Sequence, residues 1–180
     1  MRLQQQGAEV IGIDASQKLL DYARDKTGQI EWIRDDAMEL KRVHCQSIDI
    51  AVCNLMLMDV PNIDAVFKSV HKILQINGLF IFVIMHPCFQ SPFSYWLDDG
   101  TRNVSTYVSQ FWKSKGTNTL RANLGAYHRS VSEYVNGCMA AGFSIIHIDE
   151  PMSASASQTI PSLFGFVGEK KVKLLVCVTP

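Results

Sequence analysis

The chain has 180 residues, 47% of them hydrophobic and only 19% charged, with 17 Lys plus Arg balancing 17 Asp plus Glu. One domain of this size can bury roughly 70% of its unfolded surface, and a charged share below the roughly 25% of an average domain fits a full core. The zero balance and the absence of any basic run argue against a nucleic-acid surface, which needs excess positive charge somewhere.

Taken in chain order, apolar strand-like runs alternate with helical patterns. Glu9–Ile13 ends in an acid, Asp14, and a helix start follows at once, with Ser16 as N-cap and Leu19, Leu20 and Ala23 on one face of Gln17–Asp25. Ile30–Arg34 is followed by Asp35, Asp36 and Ala37, and Ile48–Cys53 by Asn54 through Asp59. After Pro61 and Asn62, the spacing of Ile63, Val66, Phe67, Val70, Ile73 and Leu74 predicts a helix that stops at Asn77–Gly78. The strand Leu79–Met85 runs into His86, Pro87 and Cys88. A capping-box pattern at Ser130–Glu133 opens a helix that ends before Gly142. Strands at Ser144–Ile148 and Val172–Val178 close the order. Most of these strand runs are continuous, as in strands covered on both faces, and the alternation predicts a single α/β domain over 1–180.

Between Pro87 and Tyr127 the periodicity fails, yet the segment holds 8 of the 17 aromatic residues. That density argues against disorder. An irregular insert over 87–127 is expected, acting as a lid or binding loop or simply packing its rings on the sheet.

Cys45, Cys53, Cys88, Cys138 and Cys177 are odd in number, widely spaced and form no C-x-x-C pair, so no disulfide framework or zinc site is expected. His44, His71 and His147 lack spaced partners, so no metal is expected. Reduced thiols, a start (MRLQQQGAEV) without an apolar signal core and the lack of a membrane-length run predict a soluble cytoplasmic protein with no membrane partner.

In open α/β sheets, ligands sit beyond the carboxyl ends of the strands. Polar groups recur there four times: Asp14, then Asp35 and Asp36, then Asn54, then His86. A carboxylate at such a tip suits a ribose because it can accept from both hydroxyls of the diol. The plain alternative for Asp14 is a turn acid that favours the helix dipole. Asn54 can merely stabilise a turn, Met56 and Met58 can be core filler, and His86 can be a base or a packed polar residue. Arg129 can bind a substrate carboxylate or pair on the surface.

Several segments in this order resemble the class I S-adenosylmethionine-dependent methyltransferases, in particular their small-molecule type 11 group. EVIGIDAS resembles the second strand and its ribose-binding acid, IRDDAMEL the next strand, and IDIAVCNLMLMDVPN the fourth strand and its turn. VHKILQINGLFIFVIMHPCF and YHRSVSEYVNGCMAAGF followed by DEP resemble the later helices and strands. The resemblance implies a Rossmann-like, mostly parallel sheet with helices on both faces and one antiparallel strand near the C-terminus, Val172–Val178. It implies S-adenosylmethionine as cofactor and a small-molecule methyl acceptor. Cofactor contacts would come from Asp14 and Ala15, from Asp36 and Ala37 at the adenine, and from Asn54, Leu55 and Met58 at the methionine end. His86, Tyr127 and His128 would face the reacting groups and supply a base where one is needed, and Arg129 would face substrate.

The first strand of that family and its D-x-G-x-G turn have no counterpart here, since only Met1–Ala8 precede the Asp14 strand and they hold one glycine, Gly7. Loss of about three backbone hydrogen bonds from such a turn would weaken cofactor binding roughly 10²–10³-fold. The neighbouring strands would then pair directly or leave open edges, which favour a homodimer. An N-terminally shortened methyltransferase is therefore expected. The alternatives are a catalytically inactive remnant or interaction module, and a nicotinamide-dependent oxidoreductase, which also uses an acid after its second strand but would need the same glycines.

Overall fold

In the computed structural model, residues 2–26, 30–115, 120–152 and 160–171 are described. A short helix α1 (Arg2–Gln5) leads through Gly7 into strand β1 (Ile11–Asp14). Helix α2 (Gln17–Lys26) packs on β1 and on strand β2 (Glu31–Arg34), which pairs with β1 in parallel, Ile13 opposite Ile33. Gly12 is demanded by this pairing: the Trp32 ring lies across it, and a Cβ there would stand 2.0 Å from the indole.

The larger sheet begins with strand β3 (Ile48–Asn54), helix α3 (Ile63–Ile73) and strand β4 (Leu74–Met85). The insert supplies strands β5 (Ser94–Trp96), β6 (Arg102–Val104) and β7 (Gln110–Trp112), helix α4 (Leu120–Asn123) and strand β8 (Ala126–His128). Helix α5 (Val131–Ala140) and strands β9 (Phe143–Asp149) and β10 (Leu163–Lys170) follow. The four-stranded order is β3-β4-β10-β9, with β3, β4 and β9 running one way and β10 the other. This is an α/β fold of the Rossmann-like kind. Among the described residues β1 and β3 do not pair, so each leaves one edge open.

Helices α3 and α5 cover the face of the sheet that carries Phe80, Phe82, Phe164 and Phe166, all fully buried. Phe82 stacks on Phe166 with centroids 4.9 Å apart, and Phe67 from α3 meets both Phe80 and Phe82. The alternate residues Ile50 and Val52 point away from this core and are more than half exposed.

Three local expectations are revised. Helix α3 ends at Ile73, not at Asn77–Gly78, because Leu74 already turns extended (ψ 142°). The Asn–Gly pair instead bends β4, where Ile48 faces Leu74 but Ile50 faces Leu79, and Asn77 takes a φ of +63°. The insert is not irregular throughout: β5 pairs β6 and β7 pairs β8, both antiparallel. Strands of three residues are too short to show a period. The antiparallel strand is Leu163–Lys170, and the range Val172–Val178 lies outside the described residues. No helix among the described residues is long and apolar enough to cross a membrane.

Cys53 and Cys138 are buried in this core, and burial pushes their thiols up to about 11 and about 12. Cys45 is exposed. A thiolate-directed reagent at pH 8 is therefore expected to modify Cys45 in the folded protein and spare Cys53 and Cys138 until denaturant is added, as read by peptide mass mapping. Native labelling of Cys138 would contradict this packing.

Candidate active site

Asp14 closes β1. Its Oδ1 accepts the Ser16 amide at 2.7 Å, and its carbonyl accepts the Asp35 amide at 3.2 Å, tying the tips of β1 and β2 together. The Ala15 carbonyl accepts from Arg34 Nε at 3.3 Å. The two acids after β2 differ. Asp35 spends both oxygens on the amides of Asp36 (2.8 Å) and Arg42 (2.7 Å). Asp36 uses only Oδ1, on the Met38 amide at 2.8 Å, among the described residues. Its neighbour Ala37 accepts the Ser69 hydroxyl from α3 on its carbonyl. Beyond β3, Asn54 is exposed, and Leu55 adopts a φ of +56° while its amide donates to the Val83 carbonyl at 2.8 Å.

A cavity of about 280 Å³ opens beyond the carboxyl ends of β3 and β4. It is lined by Met58 from the turn after β3, by Met85 and His86 at the end of β4, by Gln90, Ser91, Trp112 and Arg121 of the insert, and by Tyr127, His128 and Arg129 leading into α5. Met58, His86, Tyr127 and His128 are thus brought together. Asp14, Ala15, Asp36, Ala37, Asn54 and Leu55 are not part of this lining; they lie at the tips of β1, β2 and β3. Strand β8 is placed by Gly125, whose φ of +76° and contact with the Phe111 ring leave no room for a side chain. The Tyr127 amide then donates to the Met58 carbonyl at 2.8 Å, joining insert to sheet.

The two cavity histidines differ in what their nitrogens do. His86 is buried under Phe89, whose ring stacks at 4.7 Å. Its Nδ1 accepts from the amides of Cys88 (3.2 Å) and Phe89 (3.3 Å), so the proton sits on Nε2, which donates to Glu150 Oε1 at 2.7 Å. Nδ1 thus holds the HPCF turn, and Nε2 is engaged with Glu150. His128 hydrogen-bonds the Tyr107 carbonyl, while its Nε2 is buried with no partner among the described residues. With Nδ1–H directed at that carbonyl, Nε2 would keep its lone pair. Burial also holds this imidazole below its ordinary value, which favours the neutral ring.

Arg129 lines the cavity but is consumed structurally. It donates from Nη1 to the Leu57 carbonyl (3.1 Å) and from Nη2 to those of Val60 (2.8 Å) and Pro61 (2.9 Å). It also bonds the Tyr134 phenol and lies 4.9 Å over the Tyr127 ring. Ser130 caps the next helix in a full capping box with Glu133, which fixes Arg129 at the helix entry. Arg121 and Trp112 escaped the sequence reading as site residues. They sit in three- and four-residue elements that carry no periodic signal. Among the described residues, no group of three or more His, Cys, Asp or Glu side chains gathers to hold a metal.

The fold is shared with known proteins. The methyltransferase domain family matches residues 1–82. An S-adenosylmethionine-dependent methyltransferase from Mesorhizobium loti superposes with a TM-score of 0.78 at 26% identity, over 93% of this chain and 83% of that one. The 1,6-didemethyltoxoflavin-N1-methyltransferase of Burkholderia thailandensis, solved with its substrate and S-adenosylhomocysteine, shares the fold at 14% identity (TM-score 0.63; 95% of this chain, 65% of that one). A Haemophilus influenzae protein of undescribed function is 23% identical over 168 residues, 87% of this chain, and the chain spans 66% of that relative's length. The first 82 residues thus match a methyltransferase domain, and the chain as a whole has the fold of S-adenosylmethionine-dependent methyltransferases.

Proposed function

We propose that the chain binds S-adenosylmethionine across the tips of β1, β2 and β3 and methylates a small molecule held in the adjoining cavity. The observation that carries this reading is the position of the cavity, beyond the carboxyl ends of β3 and β4, where open α/β sheets place ligands. The residues present fit the cofactor chemically. Asp14 commits only Oδ1 to the Ser16 amide, and a carboxylate has about four lone-pair sites, enough to accept both ribose hydroxyls. Asp36, with one oxygen less engaged than Asp35, suits the exocyclic amine of adenine. Ala15 and Ala37 leave room beside each acid, and Asn54, Leu55 and Met58 would flank the methionine end. When bound, the cofactor supplies an electrophilic methyl group on sulfur, with a leaving group that needs no protonation.

The protein's own task is then to orient the acceptor, exclude water and take a proton. Trp112, Tyr127 and Met58 provide walls that orient and dry the site. The bare Nε2 of His128 is the proton acceptor best placed for an acceptor that arrives as O–H or N–H. His86 serves as a positioning residue, since its Nδ1 holds the turn leading to Gln90 and Ser91 while Nε2 is tied to Glu150.

Calorimetry with S-adenosylhomocysteine tests the reading. Wild-type protein is expected to bind at micromolar concentration, and Asp14→Ala to bind about 10–100-fold more weakly through loss of charge-assisted hydrogen bonds. No detectable heat with the wild type would overturn the enzyme reading in favour of a non-catalytic interaction module.

A further inference from the structure

The cavity is electrostatically one-sided. Among the described residues its lining contains the guanidiniums of Arg121 and Arg129, two histidines, and no aspartate or glutamate. Arg129 has committed its Nη donors to main-chain carbonyls, although its charge remains. Arg121 is differently placed. Among the described residues its side-chain partners are Asp59, whose Oδ1 lies 3.4 Å from Nη2, and the Trp112 ring, 5.8 Å from the guanidinium carbon. A separation of 3.4 Å is long for a charge-assisted bond, which closes to about 2.7–2.9 Å. Burial pushes the Asp59 carboxyl up, and the nearby Arg121 pulls it down. A guanidinium has five donors in a planar fork matched to a carboxylate. Arg121 therefore brings unspent donors and positive charge to a small, largely apolar cavity.

The remaining wall limits what can enter. About 280 Å³ is below the usual range for drug-sized ligands, which is roughly 300–1,000 Å³. Met58, Met85, Trp112 and Tyr127 offer apolar and aromatic surface, and His128 Nε2 offers one buried acceptor. We infer that the acceptor is a small carboxylic acid: Arg121 holds its carboxylate, the methionine and aromatic walls hold its body, and His128 Nε2 receives its O–H or N–H. This rests on the methyltransferase reading only in naming that O–H or N–H as the group modified. Recognition of the acid stands on the lining itself.

The test is a matched set of probes on the full chain, followed by calorimetry and by intrinsic tryptophan fluorescence: 4-hydroxybenzoate, 4-hydroxybenzamide and 4-hydroxybenzylamine, which share a shape and differ in charge. Wild-type protein is expected to bind the acid at least about tenfold more tightly than the amide, and the amine most weakly. Arg121→Met should bring the affinity for the acid down to that for the amide without changing the latter, and Arg121→Lys should keep part of the preference. Circular dichroism verifies folding, and Arg121→Gln replaces the methionine variant if that one fails to fold. Equal affinity for acid and amide in the wild type, a preference that survives Arg121→Met, or no binding of the acid at millimolar concentration would overturn the inference. S-adenosylhomocysteine is titrated into the same preparations. Its binding without an acid preference removes this inference alone, whereas an acid preference without its binding removes the methyltransferase reading and leaves acid recognition standing.

Discussion

Arg129→Met is expected to lower the unfolding free energy by about 3–5 kcal/mol, a large part of the stability of a domain this size. Arg129 is buried, and its guanidinium satisfies the carbonyls of Leu57, Val60 and Pro61 while bonding the Tyr134 phenol. Each buried acceptor left without a donor costs about 1–3 kcal/mol, with some relief where water can enter from the cavity. Methionine preserves volume and the apolar contact with Tyr127 but supplies no N–H. Lysine should recover little, because one ammonium cannot span three carbonyls and a phenol with the geometry of a planar fork. Urea denaturation checks this: the midpoint should fall while the slope stays constant, since the surface exposed on unfolding is unchanged. A loss below about 1 kcal/mol would mean that the carbonyls are served by water and that Arg129 acts mainly through its charge on the cavity.

Arg129 also marks the limit of what could be read from the chain alone. Its neighbourhood was legible, because Ser130–Glu133 is a capping box in sequence and in structure. Its partners were not, because they lie about 70 residues away in the turn after β3, and local patterns carry no information on such pairs. The strand tips were legible for the opposite reason. Asp14 and Asn54 close largely apolar strands and Asp36 lies just past the end of β2, so position along the chain puts them at the ends of their strands. The choice of Asp36 over Asp35 rests on the family resemblance alone; in the structure Asp35 accepts one amide on each oxygen, whereas Asp36 accepts one on Oδ1 among the described residues. Inside the insert, stitching comes from a side chain. Arg102 donates to the Ser94 hydroxyl and to the carbonyls of Phe89 and Ser94, so three-residue strands hold without any hydrophobic period. Arg121 and Trp112 enter the cavity from α4 and β7, and no spacing rule announces them.

The second large effect concerns His128. Turnover of an O–H or N–H acceptor is expected to fall about 10²–10⁴-fold in His128→Asn, the usual range for loss of a positioned base. Asparagine can place an N–H at the Nδ1 position while removing Nε2 together with the ring's contacts to Phe93 and Tyr107, so the folded state of the variant is checked by its denaturation midpoint before the loss of activity is read as loss of the base. The pH dependence follows from the direction of the shift. Burial holds the folded-state imidazole below 6.5, so the ring is neutral and competent above that value, and the rate should decline on an acidic limb centred below 6.5. The limb should vanish in His128→Asn. Stability obeys the same sign: the contribution is fully present above 6.5 and is lost as pH falls through the folded-state value, because the unfolded chain binds the proton first. An acceptor-free measurement separates the two histidines. Imidazole nitrogen resonances should show the proton on Nδ1 of His128, opposite the Tyr107 carbonyl, and on Nε2 of His86, opposite Glu150. The same tautomer at both rings would remove the distinction between the residue that takes a proton and the one that positions the turn. An acidic limb that persists in His128→Asn would assign the titration to another group.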